Sequence, residues 1–451
     1  MCDSNQSKGG HDVQFVSWRQ PCHVHTVSSS APRSHEPVHG PPFSTRRGRN
    51  ARNWCALATT FAAILLSWES AGGLVERFAF VRDLLGSNLP RRRQPGGTYQ
   101  GLAKALKRHG APLIGTVKMH LRSQIMAHAG TFVIRCGHLA FAADGSKYDA
   151  PRTIANEQGL GVFGRENSHP QMSVTTLWHM GTALPWDWRV GRATEAERTH
   201  LRAMQDDLPA GALVVADAGF TGYDLLKDLH DSGRFFLIRV GRHTTLLKGL
   251  GYEVREKNKD VFWLWPENKR ATAPFPVRQI RIGEGENAVC PITNHLDAAK
   301  LSDEQAGVLY KMRWGVEVFH RHSKQTLENR KVASASPVLA LLEMEWIMVG
   351  LLLLGLLAVR ELIRKGEDPL ALSMAAAIRA VRRVQHRPDL RQKPAMLRGA
   401  LGRCVKDRYV RKGKKASREW PRKKECKPPG QPTVRAATPR ERRRAKAHMT
   451  T

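Results

Sequence analysis

The stretch "ALVVADAGFTGYDLLKDLHDSGRFFLIRV" (residues 212–240) contains two kinds of hydrophobic pattern. Its two ends are short apolar runs, which are typical of buried strands, and its middle places leucines at helical spacing. It therefore predicts a strand, a helix and a strand in succession. Three strand-like segments and a helical one precede it, namely "HLAFAADGS" (138–146), "TTLWHMG" (175–181), "PWDWRVGRAT" (185–194) and "EAERTHLRAMQDDL" (195–208). This order predicts an α/β fold with a mixed sheet.

The flanking regions show other patterns. Apolar residues recur at helical spacing from residue 51 to about 112, and again from Ser302 to about residue 385. Between residues 241 and 292, several short strand-like runs indicate a β-rich insertion rather than a long loop. Residues 1–50 are rich in Ser, Pro, Gly and His, a composition that favours disorder. We therefore expect one large core with appendages.

The composition is strongly basic. Lysine and arginine number 72 against 40 acidic residues, which gives a formal net charge of +32. An excess of this size is far beyond what solubility requires, and it favours a polyanionic partner, most simply a nucleic acid.

The cysteines and the apolar runs indicate the cellular location. The seven cysteines lie far apart, and no C-x-x-C pair is present that could begin a zinc site or a redox motif. The N-terminal residues lack the basic-then-apolar order of a signal peptide. The most apolar run, "WIMVGLLLLGLLAV" (346–359), is shorter than the roughly 20 residues of a membrane span, so we expect a core helix. The prediction is a reducing cytoplasm, without membrane contact.

Two aspartates follow apolar strand-like runs. Asp144 precedes a glycine in "FAADGS", and Asp217 is followed by Ala218 and a glycine in "VVADAGF", so each can present its carboxylate at a strand end. An aspartate before glycine is also a common turn former. Asp149 and Asp224 are alternatives, and we prefer the first pair because it directly follows the apolar runs.

A third carboxylate lies in "LYKMRWGVEVFHRHSK" (309–324). Counting 100° per residue from Tyr310, the side chains of Arg313, Glu317 and Lys324 share one helix stripe roughly 60° wide. An exposed charged face with an ordinary i,i+4 ion pair would look similar. A single glutamate among cations is better explained if it ligates a divalent metal ion that also binds phosphate oxygens.

Together these residues suggest one chemistry. The carboxylates of Asp144, Asp217 and Glu317 suffice to hold two Mg²⁺ ions roughly 3.5–4 Å apart, which can activate a water or a 3′-hydroxyl for in-line attack at phosphorus. The other three residues of the helix stripe would then grip the phosphates beside the scissile bond. Further phosphate contacts are predicted at an arginine run before a loop, namely Arg91, Arg92 and Arg93.

The chain resembles the insertion-sequence family four group of bacterial DDE transposases. Residues 310–324 reproduce its Y-(2)-R-(3)-E-(6)-K signature without a mismatch. The stretches "ADGS" and "DAPRT" are similar to its first aspartate block, "VVADAGFTGYDLL" to its second, and "PITN" to its strand leading toward the glutamate. The resemblance covers roughly residues 96–360.

The resemblance implies more than the residues alone do. It implies an RNase H-like core with a β insertion before the catalytic glutamate, Mg²⁺ dependence with Mn²⁺ as a possible substitute, and cut-and-paste transposition of double-stranded DNA at terminal inverted repeats. It also implies a homodimeric synaptic complex. Members of the family can pass through hairpin ends with a base flipped onto an aromatic side chain of the insertion. Trp263 and Trp265 are candidates by location, although alternating aromatics in a strand more often belong to a core.

Two other functions stay open: a nuclease of the same core that never joins strands, and a catalytically inactive DNA-binding derivative. The predicted location is the bacterial cytoplasm, at the nucleoid. The predicted segments are a disordered N-terminal segment (1–50), a helical DNA-binding region (51–125), the first part of the catalytic core (126–240), the β-rich insertion (241–295), the second part of the core with C-terminal helices (296–385), and a basic, mostly disordered tail (386–451).

Overall fold

The computed structural model describes most of the chain, namely residues 54–90, 93–162, 169–251, 260–285, 288–326, 328, 331–387, 394–407 and 430–448. The predicted disordered segment at residues 1–50 lies outside the described residues, as do Arg91 and Arg92.

Helices lie at both ends of the described chain and between the strands. They are α1 (Ala56–Trp68), α2 (Leu74–Asn88), α3 (Tyr99–His128), α4 (Ile154–Leu160), α5 (Glu197–Met204), α6 (Tyr223–Asp231), α7 (Asp303–Met312), α8 (Trp314–Gln325), α9 (Pro337–Ile363), α10 (Met374–His386), α11 (Pro394–Leu401) and α12 (Pro439–Ala447).

The strands form one mixed sheet. They are β1 (Ala140–Asp149), β2 (Gln171–His179), β3 (Leu184–Arg192), β4 (Leu213–Ala216), β5 (Phe235–Arg239), β6 (Thr245–Lys248), β7 (Val261–Leu264), β8 (Phe275–Gln279), β9 (Pro291–Thr293) and β10 (Thr433–Ala436). The strand order is β10-β6-β7-β8-β9-β5-β4-β1-β2-β3. In it, β1, β4 and β5 run parallel to one another, and β2 is antiparallel to β1. The predicted α/β class is observed, and so is the predicted order of elements from β1 to β5, except that the structure adds the helix α4 between β1 and β2.

The β-rich insertion extends the core sheet instead of forming a separate sheet. Its strands β6, β7 and β8 continue the sheet outward from β9, and β9 pairs with β5 of the core. One of the short strand-like runs between residues 241 and 292, "YEVREK" (252–257), lies outside the described residues.

The N-terminal helical region is anchored to the sheet by a buried ion cluster. Asp187 of β3 is fully buried and contacts two cations of α3, Lys118 and Arg122. Their charges offset the cost of burying the carboxylate. Helix α3 continues to His128, slightly past the predicted boundary at residue 125.

The most apolar run lies in α9, which is long and apolar enough to cross a membrane by length and composition. However, 72% of its apolar window is buried inside the protein. The indole N–H of Trp68 donates to the Gly350 carbonyl, and that of Trp188 donates to a carboxylate oxygen of Glu345. These contacts hold α9 between α1 and the sheet, as expected of a core helix.

The C-terminal region differs from the mostly disordered tail predicted for residues 386–451. Its described part contains α11, α12 and β10, and β10 pairs in parallel with β6 at the sheet edge. An unpaired edge strand is open to pairing with other chains, and β10 covers this one. The basic composition concealed β10 because its partner strand β6 lies almost 200 residues earlier in the chain.

Glu441 of α12 joins this segment to the insertion. Its carboxylate contacts the guanidinium groups of Arg270 and Arg435, and the hydrogen bond from Arg435 lowers the pKa of Glu441 to about 2. We expect Glu441→Ala to lower the free energy of unfolding by about 1.5–3 kcal/mol, because the charge-assisted hydrogen bonds from two guanidinium groups are lost. Urea denaturation measures this change. Arg443→Ala is the control, and an equal loss of stability in both variants would contradict the expectation.

Candidate active site

Strand register places Asp144 beside Asp217. In the parallel pair β1 and β4, the last paired residues are Ala143 and Ala216. Each aspartate is the next residue along its strand, so both leave the paired region at the same edge. The sequence had predicted that Asp144 lies at the end of its strand, and this prediction is wrong. Asp144 lies in the middle of β1, because β2 continues to pair as far as Asp149.

The two aspartates are held differently. The Asp217 carboxylate accepts a hydrogen bond of 2.8 Å from the backbone N–H of Gly219, which fixes the turn after β4. Burial, together with the negative charges of Glu317 and Asp217, raises the pKa of Asp144 to about 7. The three carboxylates are thus close enough to repel one another, and a bound cation would relieve this repulsion.

Glu317 reaches the aspartates because α8 approaches the sheet closely. A side-chain carbon added at Gly315 would clash with the indole of Trp178 on β2. Glycine at this position therefore lets the first turn of α8 lie against the strand. Glu317 is in that first turn, and its Oε1 lies 2.9 Å from a guanidinium nitrogen of Arg313.

The predicted helix stripe is preserved although the helix is divided at Arg313. This residue joins α7 to α8 with a helical backbone conformation, so the spacing of the stripe changes little. Its guanidinium lies 5.6 Å from the ring centroid of Tyr310. The charge pair with Glu317 and the stacking on Tyr310 hold Arg313 at the edge of the site.

Lys324 contacts β1 from the other end of α8. Its ammonium group donates a hydrogen bond of 2.6 Å to the Ser146 hydroxyl and lies 4.8 Å from the ring centroid of Tyr148. The Tyr148 hydroxyl in turn hydrogen-bonds the Nδ1 of His320, which burial keeps neutral by lowering its pKa to about 3. Sequence reasoning missed His320, although its position three residues after Glu317 places it on the same face of the helix.

Asp144, Asp217 and Glu317 line one open cleft. Its other lining residues are Ser146, His320, Arg321, Lys324 and Gln325. No three His, Cys, Asp or Glu side chains of the described residues are grouped closely enough to hold a metal ion by themselves. Mg²⁺ is commonly bound by one or two carboxylates together with substrate phosphates and water. The hard oxygen donors and their mutual repulsion therefore fit Mg²⁺ ions whose remaining coordination positions are filled by water or by substrate phosphates.

The weaker aspartate candidates lie outside this cleft. Asp149 accepts a hydrogen bond from Gln171 at the far end of β1, and Asp224 forms an ion pair with Lys269. The histidines of the strand-like segments are structural: His138 bonds a backbone carbonyl, and burial lowers the pKa of His179 to about 4.

The two tryptophans of the insertion are not placed as predicted for binding a flipped base. Trp263 and Trp265 are only 9% and 1% exposed. The Trp265 indole N–H donates to the Thr272 carbonyl, and the Arg270 guanidinium lies 4.4 Å from its ring centroid. Both rings belong to the core of the insertion. Arg93, the described member of the arginine run, is exposed.

A fourth carboxylate borders the site. Burial and the negative charge of Asp217 raise the pKa of Glu197, at the start of α5, and the charge of Glu197 adds to the raised pKa of Asp144. No sequence signal marked it, since it lies in an ordinary charged helix that begins after β3.

Residues 135–349 match the family model of the transposase DDE domain. No curated protein matches the chain. Among solved structures, the chain is similar to a cryo-EM structure of a piggyBac transposase synaptic complex with hairpin DNA, with a TM-score of 0.35 and 12% identity over 78% of this chain and 77% of that chain. A likeness at that level does not assign a function to this chain. The family match supports a DDE transposase, that is, a DNA-processing enzyme.

Proposed function

We propose that this chain, whose residues 135–349 match the transposase DDE domain, moves an insertion sequence by cut-and-paste DNA transposition. The observation that carries the proposal is the shared cleft of Asp144, Asp217 and Glu317 inside the matched region. The sequence signature from Tyr310 to Lys324 supports the narrower assignment to the insertion-sequence family four group.

The three carboxylates would hold two Mg²⁺ ions, which supply the activation of the attacking water or 3′-hydroxyl and the stabilisation of the leaving oxygen. Arg313 orients Glu317 through their ion pair, and its guanidinium is beside the cleft where a DNA phosphate would enter. Lys324, held against Ser146, brings a second positive charge to the opposite side of Glu317 along α8. Both cations would position the phosphate for in-line attack.

The proposal also includes an RNase H-like core, a duplex DNA partner and a homodimeric assembly. The order of elements from β1 to β5, with α5 between β3 and β4, supports an RNase H-like core. The net charge of +32 supports a duplex DNA partner, because release of counterions from DNA favours binding by a basic protein. A homodimer in the synaptic complex, with action at the bacterial nucleoid, follows from the sequence resemblance.

A strand-transfer assay separates this function from its rivals. The substrates are pre-cut duplex ends that carry the inverted repeats flanking the gene, mixed with a target plasmid and Mg²⁺. We expect joined products that carry short duplications of the target sequence. Ends with a scrambled terminal sequence are the control and should give no joined product. Hydrolysis of uncut ends without joining would support the nuclease, and binding without either reaction would support the inactive derivative.

A further inference from the structure

Glu197 reaches the site from the other face of β1. It is the first residue of α5, the helix that lies between β3 and β4 in the chain. A side-chain carbon added at Gly145 would clash with the Glu197 carboxylate. Because side chains alternate between the two faces of a strand, the face of β1 at Gly145 is opposite to the face at Asp144.

The Glu197 carboxylate also lies close to the turn that holds Asp217. A side-chain carbon added at Gly219 would lie 3.1 Å from the Oδ1 of Asp217 and 3.6 Å from the Oε2 of Glu197. The two carboxylates therefore face the same small space beside Gly219. Because residues 145 and 219 are glycines, this space stays open. Side chains at these two positions would fill it.

A structural role for Glu197 would require a partner that holds it in place. The neighbouring Glu195 has such partners: it accepts hydrogen bonds from the His200 ring and from the Arg192 backbone N–H. Lys147 and the His200 ring both attract Glu197, but the Lys147 ammonium donates to the Ala193 carbonyl and the His200 ring hydrogen-bonds Glu195. Glu197 thus lies beside the carboxylate of Asp217, and a bound cation stabilises two neighbouring carboxylates.

We propose that Glu197 is a fourth carboxylate of the metal centre, which ligates one divalent cation together with Asp217. This inference rests on the proposed function, since it assumes a metal centre at the cleft. Glu197 and Glu317 then approach the aspartates from different helices, α5 and α8. In this arrangement Asp217 would ligate the ion near Glu197 and the ion near Glu317. Each ion would then have a pair of carboxylates before DNA phosphates complete its coordination.

Direct measurement of Mn²⁺ binding tests the inference without an activity assay. The protein is titrated with Mn²⁺ alone, and free Mn²⁺ is followed by electron paramagnetic resonance. We expect Glu197→Gln to weaken binding of one ion by about tenfold or more, since a charged oxygen ligand is replaced by a neutral one. Glu195→Gln removes the same charge two residues away and should bind Mn²⁺ as the wild type does.

A second variant acts on the same contact without removing a charge. Gly145→Ala places a methyl group where the Glu197 carboxylate lies, so we expect it to weaken Mn²⁺ binding in the same direction. Equal binding by Glu197→Gln, Glu195→Gln and the wild type would overturn the inference, provided that thermal unfolding shows all three to be folded.

Glu317→Gln distinguishes this failure from failure of the proposed function. If Glu317→Gln weakens Mn²⁺ binding and Glu197→Gln does not, the metal centre stands and Glu197 is outside it. If neither variant weakens binding, the metal centre itself is wrong.

Discussion

Glu317→Gln is expected to lower the rate of DNA-end cleavage by about a thousandfold or more. Glutamine keeps the shape of the side chain but not its charge, so an ion bound there loses one of its carboxylates. Metal ions contribute several kcal/mol of transition-state stabilisation, and about 4 kcal/mol corresponds to about a thousandfold in rate. Cleavage of labelled terminal DNA under single-turnover conditions measures the loss.

Binding of DNA should survive the same substitution. Loss of Glu317 frees the Arg313 guanidinium for a phosphate, so we expect affinity at fixed salt to be unchanged or slightly higher. Glu304→Gln on α7 is the matched control, because Glu304 is an exposed glutamate of the adjacent helix and should leave cleavage unchanged. Retained cleavage in Glu317→Gln, or an equal loss in Glu304→Gln, would contradict the assignment of the site.

The contribution of Asp144 to the stability of the metal-free protein is expected to fall as the pH rises from about 4 to about 7. Burial, Glu317 and Asp217 raise the pKa of Asp144 to about 7 in the folded protein, against 3.8 as its ordinary value. The folded protein therefore keeps a proton that the unfolded chain releases near pH 4. Below pH 4 both states are protonated, and above pH 7 both are ionised, so the stabilising contribution is lost between these values. The loss is at most about 4 kcal/mol.

Mg²⁺ should reverse this trend, because a cation favours the ionised carboxylates. Thermal unfolding at pH 6 and pH 8 should show a larger stabilisation by Mg²⁺ at pH 8. Asp144→Asn removes the titrating group, so its stability relative to the wild type should increase from pH 4 to pH 7, and it should respond less to Mg²⁺. The account fails here if the wild type and Asp144→Asn show the same pH dependence.

Local patterns predicted the strands and helices of the core, and they selected three carboxylates that line one cleft. Around residues 212–240, the spacing of apolar residues predicted the strands and the helix, and the structure has the same elements there. Helical geometry alone placed Arg313 and Glu317 together, and the structure retains that pair. The convergence of Asp144 and Asp217 follows from the ends of two apolar runs, since neighbouring parallel strands end at one edge of the sheet.

Long-range pairing explains what local patterns did not show. The length of β1 depends on β2, so Asp144 was expected at a strand end and lies within the strand instead. The pairing of β10 with β6 joins residues far apart in the chain. The burial of Trp265 depends on Arg270 and on the C-terminal segment, in which His448 contacts the indole ring.

Glu197 is the clearest case of a residue that only the fold could reveal. Its position beside Gly145 and Gly219 depends on how α5 packs against β2 and β3. Its neighbours in sequence do not distinguish it from Glu195.

The most direct test of the central claim is the location of Mn²⁺ in a structure of the protein bound to a pre-cut DNA end, determined from anomalous scattering. The account predicts Mn²⁺ ligated by Asp144, Asp217 and Glu317 and by oxygens of the terminal phosphate. Mn²⁺ bound at the DNA end without contact to these three carboxylates would contradict it.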